Sequence, residues 1–287
     1  MLIKEIIEKV DDDLVKDDNA LSTTDPNQDA DPEINELGTR LQNEVSIHGE
    51  FPPNILVCDA GYGFPREKRP FQEKLKAISN QLANFLEWQM EEDRSASNGR
   101  SFARIQVVGC SNERTRLDLQ EKLLEKLHSS TLPSHVDFTC QSLEDFLSSG
   151  PAVSLTNNDE PVPVYLSPDA DETLDPQIIP PRVVVIGLLI DRRIQPNRSK
   201  DRASKLHIVS KRWPLEECFL EISANEPLNV DCILEGMQQW WWNCGNAEAV
   251  GSKENFIQAA SQAINHHAQR HPSRPLHIPG SNNHDDV

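Results

Sequence analysis

The chain has 287 residues, 37% of them hydrophobic, enough for one large domain or two small ones with a sizeable core. No apolar run approaches the roughly 18 residues a membrane helix needs, and the N-terminus has neither a signal core nor an Arg-rich transit composition, so a soluble cytoplasmic or nuclear protein is expected. A formal net charge of −18 argues against a nucleic-acid binder if it is spread evenly, so its distribution decides.

Residues 1–50 carry 14 acidic against 4 basic side chains, a local net of −10. Stretches such as DDDLVKDD and TDPNQDADPE cannot bury enough apolar surface to offset chain entropy, so a disordered acidic arm is predicted, with a short helix over residues 2–15. Structure is expected from about Pro53. NILVC (54–58) reads as a buried strand ending at Asp59, and Phe71, Leu75, Ile78, Leu82, Phe85 and Leu86 then recur at helical spacing. FARIQVVG (102–109) reads as a strand, 114–128 as a helix with Leu117, Leu123, Leu124 and Leu127 inward, 135–140 as a strand, and 143–147 as a short helix.

After a polar, proline-rich loop come a strand over 162–166, a turn-rich link and the most apolar run of the chain, RVVVIGLLI (182–190). Strands alternating with helices imply a parallel sheet with helices on both faces. Between Arg182 and Arg212 nine basic residues face only Asp191 and Asp201, a local +7 inside an acidic chain. A helix is predicted over 201–206, a second carries Val230, Ile233, Leu234, Met237 and Trp241 as one stripe, and a third covers 254–269. The organisation expected is therefore an arm (1–50), one domain (51–270) and a flexible tail (271–287).

The six cysteines form no CxxC pair and read as reduced core thiols. His266 and His267 are adjacent on a helix, so their side chains point about 100° apart and chelate poorly; no metal site is predicted. Trp240, Trp241 and Trp242 fan over about 200°, which suits packing against the last helix better than base stacking. Neither a GxGxxG nor a GxxxxGK[ST] occurs, which argues against a dinucleotide site or P-loop.

Ligands of open parallel sheets bind beyond the carboxyl ends of strands, where Asp59, Gly109, Ser167 and Asp191 fall. Asp59, in DAGYG, resembles the phosphate loop of actin-like ATPases, but a turn aspartate satisfying local amides is the simpler reading. Asp191 follows the apolar run and precedes Arg192 and Arg193, cations that would keep it ionised. It could equally cap the next turn. The basic loop suits phosphate neutralisation, or else a solvated face balancing the acidic surface.

The run from Tyr165 through Leu215 resembles the SPOUT-class tRNA methyltransferases that methylate N1 of the purine at position nine. The elements carrying the resemblance are Tyr165 to Asp169, Val185 to Asp191, Ala203, Ile208, Trp213–Pro214–Leu215, and Pro227 to Asp231, in the family's order, across roughly residues 53–245. The resemblance implies an α/β SPOUT-type parallel sheet with a C-terminal trefoil knot, S-adenosylmethionine as cofactor and tRNA as substrate. It assigns the cofactor to Leu166, Ser167, Gly187, Trp213, Pro214, Leu215, Leu228, Asn229 and Val230, and makes Asp191 the catalytic base. Arg192, Arg193, Arg198, Lys200, Arg202 and Lys205 would then contact tRNA. A monomer is typical of the subfamily. Leu188 stands where the family has a second glycine, Arg193 where it has a small polar residue, and the usual basic arm and tail are absent. These departures imply a protein partner supplying basic surface, or a partner-dependent scaffold in RNA processing as the alternative to an enzyme.

Overall fold

A computed structural model of the chain describes residues 54–95, 101–149, 162–189, 195–219, 228–245 and 252–271. The acidic arm, the loop over 150–161, Asp191 with Arg192 and Arg193, and the tail after His271 lie outside the described residues. In chain order the elements are β1 (Ile55–Asp59), α1 (Lys68–Ser95), β2 (Arg104–Val108), α2 (Glu113–Lys126), β3 (Val136–Phe138), α3 (Leu143–Ser149), β4 (Val164–Leu166), β5 (Glu172–Thr173), β6 (Val183–Gly187), α4 (Arg198–Lys205), β7 (Val209–Arg212), α5 (Leu215–Cys218), α6 (Val230–Gly245) and α7 (Lys253–Arg270).

Strands apolar at successive positions need cover on both sides, and the sheet supplies it. Its seven strands run in the order β3-β2-β1-β6-β4-β7-β5, and every pairing is parallel. Because side chains alternate along a strand, β1 and β6 divide between two cores. Leu56, Cys58, Val184 and Ile186 pack with α1, α2, α6 and α7, whereas Ile55, Val57, Val183 and Val185 pack with Leu143 and Phe146 of α3 and Ala203 of α4. Helices therefore cover both faces, as expected, in one thick layer and one thin one.

Several boundaries differ from expectation. In α2 the buried positions are Thr115, Leu119 and Leu123, one turn apart, whereas Leu117 is 50% exposed. Asn112 sets this phase by accepting the Thr115 N–H at 2.9 Å as N-cap. Val162 is exposed and precedes β4. Strand pairing of β6 stops at Gly187, short of Asp191. β5 and β7 lie at the sheet's polar edge and lack the apolar signature of a strand. His271 closes the last helix, its N–H bonded to the His267 carbonyl at 2.9 Å, rather than opening an unstructured tail.

The three consecutive tryptophans do diverge. Trp240 meets Phe256 of α7 edge-on at 5.0 Å, Trp241 Nε1 donates to the Pro181 carbonyl at 3.1 Å, and Trp242 packs on Trp88 and Phe102. All six cysteines are free thiols. No helix among the described residues is long and apolar enough to cross a membrane.

Candidate active site

Parallel pairing aligns the strands' carboxyl ends, so β4, β6 and β7, three neighbours, deliver Leu166–Ser167, Gly187 and Trp213–Leu215 to one end of the sheet. Asp191 follows β6 by four residues and lies outside the described residues, as do Arg192 and Arg193. Backbone ladders fix these ends: Ser167 N–H donates to the Lys211 carbonyl at 3.0 Å and Leu188 N–H to the Asp59 carbonyl at 2.9 Å. The Leu188 side chain is fully buried in the larger core, so its bulk is absorbed by packing.

Beneath this end lies a polar cluster that the sequence reading does not anticipate. The Asp59 carboxylate is fully buried and accepts from Gly61 N–H (2.8 Å), the Tyr165 hydroxyl (3.1 Å) and, through both its oxygens, the Arg202 guanidinium. Tyr62 and Tyr165 share a hydroxyl–hydroxyl bond of 2.6 Å. The local-amide reading of Asp59 thus holds through Gly61, but the dominant partner is Arg202, brought from α4. Burial works against the Arg202 charge, and bonding to Asp59 outweighs it, holding its pKa above the usual value. Burial pushes Tyr62 up to about 12 and, with the Asp59 charge, Tyr165 well above its ordinary value.

Gly187 is needed for this packing. A Cβ there would stand 2.8 Å from the Tyr62 ring and 3.0 Å from the Tyr165 hydroxyl, tighter than van der Waals contact allows.

Helix α4 carries the basic residues, and they differ in what they face. Arg202 is turned inward onto Asp59, which removes it from the surface expected to meet RNA. Arg198 and Arg202, one turn apart, both lie over the Tyr62 ring, at 5.4 and 5.1 Å. Lys200 pairs with Asp171 at 2.7 Å, and Lys205 is exposed. The loop after β4 is clamped to the start of α4 by Ser167 Oγ to Ser199 Oγ (2.7 Å) and by Asn197 N–H to Asp169 (2.7 Å). The Tyr165–Asp169 motif therefore holds the basic helix against the strand ends.

The segment Leu228–Val230 opens α6. Val230 N–H donates to Gln81 of α1 at 2.7 Å. Trp213 reaches α6 at Gly236, where a Cβ would come within 2.2 Å of its ring, and it meets Phe256 edge-on at 5.4 Å. Its Nε1–H is buried without a hydrogen-bond partner, an orphan donor that a ligand acceptor at this segment would satisfy. Such a donor is chemically compatible with the acceptor atoms of an adenosine-type cofactor, whereas the space beside Gly187 is filled by Tyr62 and Tyr165.

A family model described as tRNA (guanine(9)-N(1))-methyltransferase TRM10/TRM10A matches residues 87–250, a span that includes every residue the family resemblance assigns to the cofactor, catalysis or tRNA but not Asp59. No curated protein matches. Among solved structures, spTrm10(74) is 15% identical with a TM-score of 0.50, covering 75% of this chain and 97% of its own. The full-length spTrm10–SAH complex is 15% identical (TM-score 0.48; 75% and 98% covered), and the dual-specific Trm10 of Thermococcus kodakaraensis is 12% identical (0.45; 74% and 99%).

Proposed function

The chain belongs to the tRNA (guanine(9)-N(1))-methyltransferase TRM10/TRM10A family, and on that premise we propose that it is an S-adenosylmethionine-dependent methyltransferase acting on N1 of guanine 9 in tRNA. The observation that carries the reading is the alignment of β4, β6 and β7, whose carboxyl ends gather Leu166–Ser167, Gly187 and Trp213–Leu215, with Asp191 four residues beyond the end of β6. Leu166, Ser167, Gly187, Trp213, Pro214 and Leu215, with Leu228, Asn229 and Val230 from the start of α6, are the residues that would hold the cofactor. When bound, it supplies a methyl group made electrophilic by a positively charged sulfur.

Guanine N1 carries a proton that must leave as the nitrogen forms its new bond to carbon. Asp191 accepts that proton, a role suited to a carboxylate held ionised by neighbouring arginines. Adenine has no N1 proton, so a site built around Asp191 favours guanine. Lys200, Lys205 and Arg198 on α4, with Arg192 and Arg193, supply positive charge for tRNA phosphates. Arg202 holds Asp59 and positions α4 instead. The trefoil threading that the family resemblance implies would run through the segments that follow β6 and α5.

The test compares single-turnover methyl transfer to tRNA transcripts bearing guanine or adenine at position nine. Guanine 9 should be methylated, and Asp191→Asn should lose roughly 10²–10⁴-fold in rate while calorimetry finds cofactor binding intact. An unchanged rate in Asp191→Asn would remove the base assignment.

A further inference from the structure

Directly after the segment Leu228–Val230, the first turn of α6 meets the end of α7 at a cluster in which Asp231, His267 and His271 point polar atoms at one another without bonding to each other. Asp231 is fully buried, yet neither nearby imidazole reaches it: His267 Nδ1 stands 3.8 Å from Oδ1 and His271 Nε2 3.9 Å from Oδ2. Both separations exceed hydrogen-bond range. His267 is 4% exposed, and its Nδ1 and the His271 Nε2 are buried atoms with no hydrogen-bond partner. The other cations here are engaged elsewhere, with Arg270 donating to Glu235 at 2.9 Å and His266 Nδ1 lying 2.5 Å from the second Glu235 oxygen. A buried carboxylate and two buried orphan nitrogens are costly unless something between them supplies positive charge.

We propose that Asp231, His267 and His271 form a binding site for a divalent cation of the zinc class. Their ligand atoms lie within 4.8 Å of one another. Tetrahedral zinc with bonds of about 2.0 Å brings donors to about 3.3 Å apart, so modest side-chain rotation closes the site. His267, in the last turn of α7, and His271, the residue that caps it four positions on, present their rings together, with centroids at 4.6 Å. Two imidazoles and a carboxylate suit zinc, nickel or copper better than magnesium or calcium, and leave a fourth position for water.

The surroundings also match those of a metal site. Asn84 Nδ2 donates to Asp231 Oδ2 at 3.0 Å and fixes the carboxylate. The Asn229 amide lies 3.4 Å from His267 Nε2, and with its oxygen turned toward the ring it accepts that N–H, leaving the Nδ1 lone pair for the ion. The cation would pin the start of α6 to the end of α7 and does not depend on the methyltransferase reading.

Zinc chloride titrated calorimetrically into the chelator-treated full chain tests this. One zinc per chain is expected, with His271→Gln, at the half-exposed helix end, and the isosteric Asp231→Asn each weakening it by at least roughly tenfold while far-UV circular dichroism stays native. Cys140→Ser controls for the exposed thiol and should bind as the parent does. Cobalt(II) in place of zinc should give ligand-field bands without thiolate charge transfer. No zinc uptake by the parent, unchanged binding in His271→Gln or Asp231→Asn, or loss in Cys140→Ser would overturn the proposal.

Discussion

Tyr62 and Tyr165, the only tyrosines of the chain, face each other with hydroxyl oxygens 2.6 Å apart, 103 residues distant in sequence. Tyr165 also donates to the buried Asp59 carboxylate, so ionising either phenol would place negative charge beside it.

This makes alkaline titration a direct probe of the cluster. Burial pushes Tyr62 up to about 12 and Tyr165 well above its usual value, whereas in the unfolded chain both titrate near 10. The folded chain then holds more protons above pH 10, so this stabilisation is complete below pH 10 and is lost as pH rises toward 12. Tyrosinate absorbance should stay near zero in the native protein at pH 10.5 and reach about three quarters of its full value in denaturant. A native signal of even one phenolate at that pH contradicts the cluster.

The Asp59–Arg202 pair should respond asymmetrically to mutation. Arg202→Met strands a fully buried carboxylate, while Asp59→Asn strands a guanidinium whose side chain is 25% exposed. The first is expected to cost about 3–5 kcal/mol and the second less, with Asp59→Asn/Arg202→Met costing less than the sum of the two. Urea denaturation measures all three, and additivity would show that the groups do not interact.

Gly236→Ala should push the buried Trp213 ring off α6, since a Cβ comes within 2.2 Å of it. Overpacking of this kind costs roughly 1–3 kcal/mol. S-adenosylmethionine affinity should fall with it, because Trp213 begins the segment assigned to the cofactor. Trp213→Phe in the same background should recover part of the stability. Unaltered stability and affinity in Gly236→Ala would place Trp213 outside that role.

The basic helix should divide by salt dependence. Lys205→Ala is expected to flatten the slope of log affinity for tRNA against log salt by roughly 0.7 to 0.9. Asp59→Asn/Arg202→Met should leave that slope unchanged, because Arg202 faces inward. Filter binding at several salt concentrations decides. Equal slope changes would return Arg202 to the RNA surface.

The parts of the fold legible in the sequence are those where burial writes itself into composition. β1 and β6 are central and covered on both faces, so NILVC and VVVIG are apolar at successive positions. β7, with the sequence VSKR, is held by ladder bonds to β4, which leave no mark on side-chain type. α2 misleads because its leucines include Leu117, which faces solvent. Family resemblance marked the segments that the sheet gathers at its strand ends, but Asp59 and Arg202 meet across 143 residues, a pairing no local pattern encodes. The adjacent pair His266–His267 draws the eye, whereas the pair that meets is His267 and His271, one turn apart.

The most direct measurement is nucleoside mass spectrometry of tRNA incubated with the protein and S-adenosylmethionine, the parent beside Asp191→Asn. The account predicts N1-methylguanosine at position nine with the parent and its loss with the variant. Cofactor binding without any methylated nucleoside, or equal N1-methylguanosine from both proteins, would contradict it.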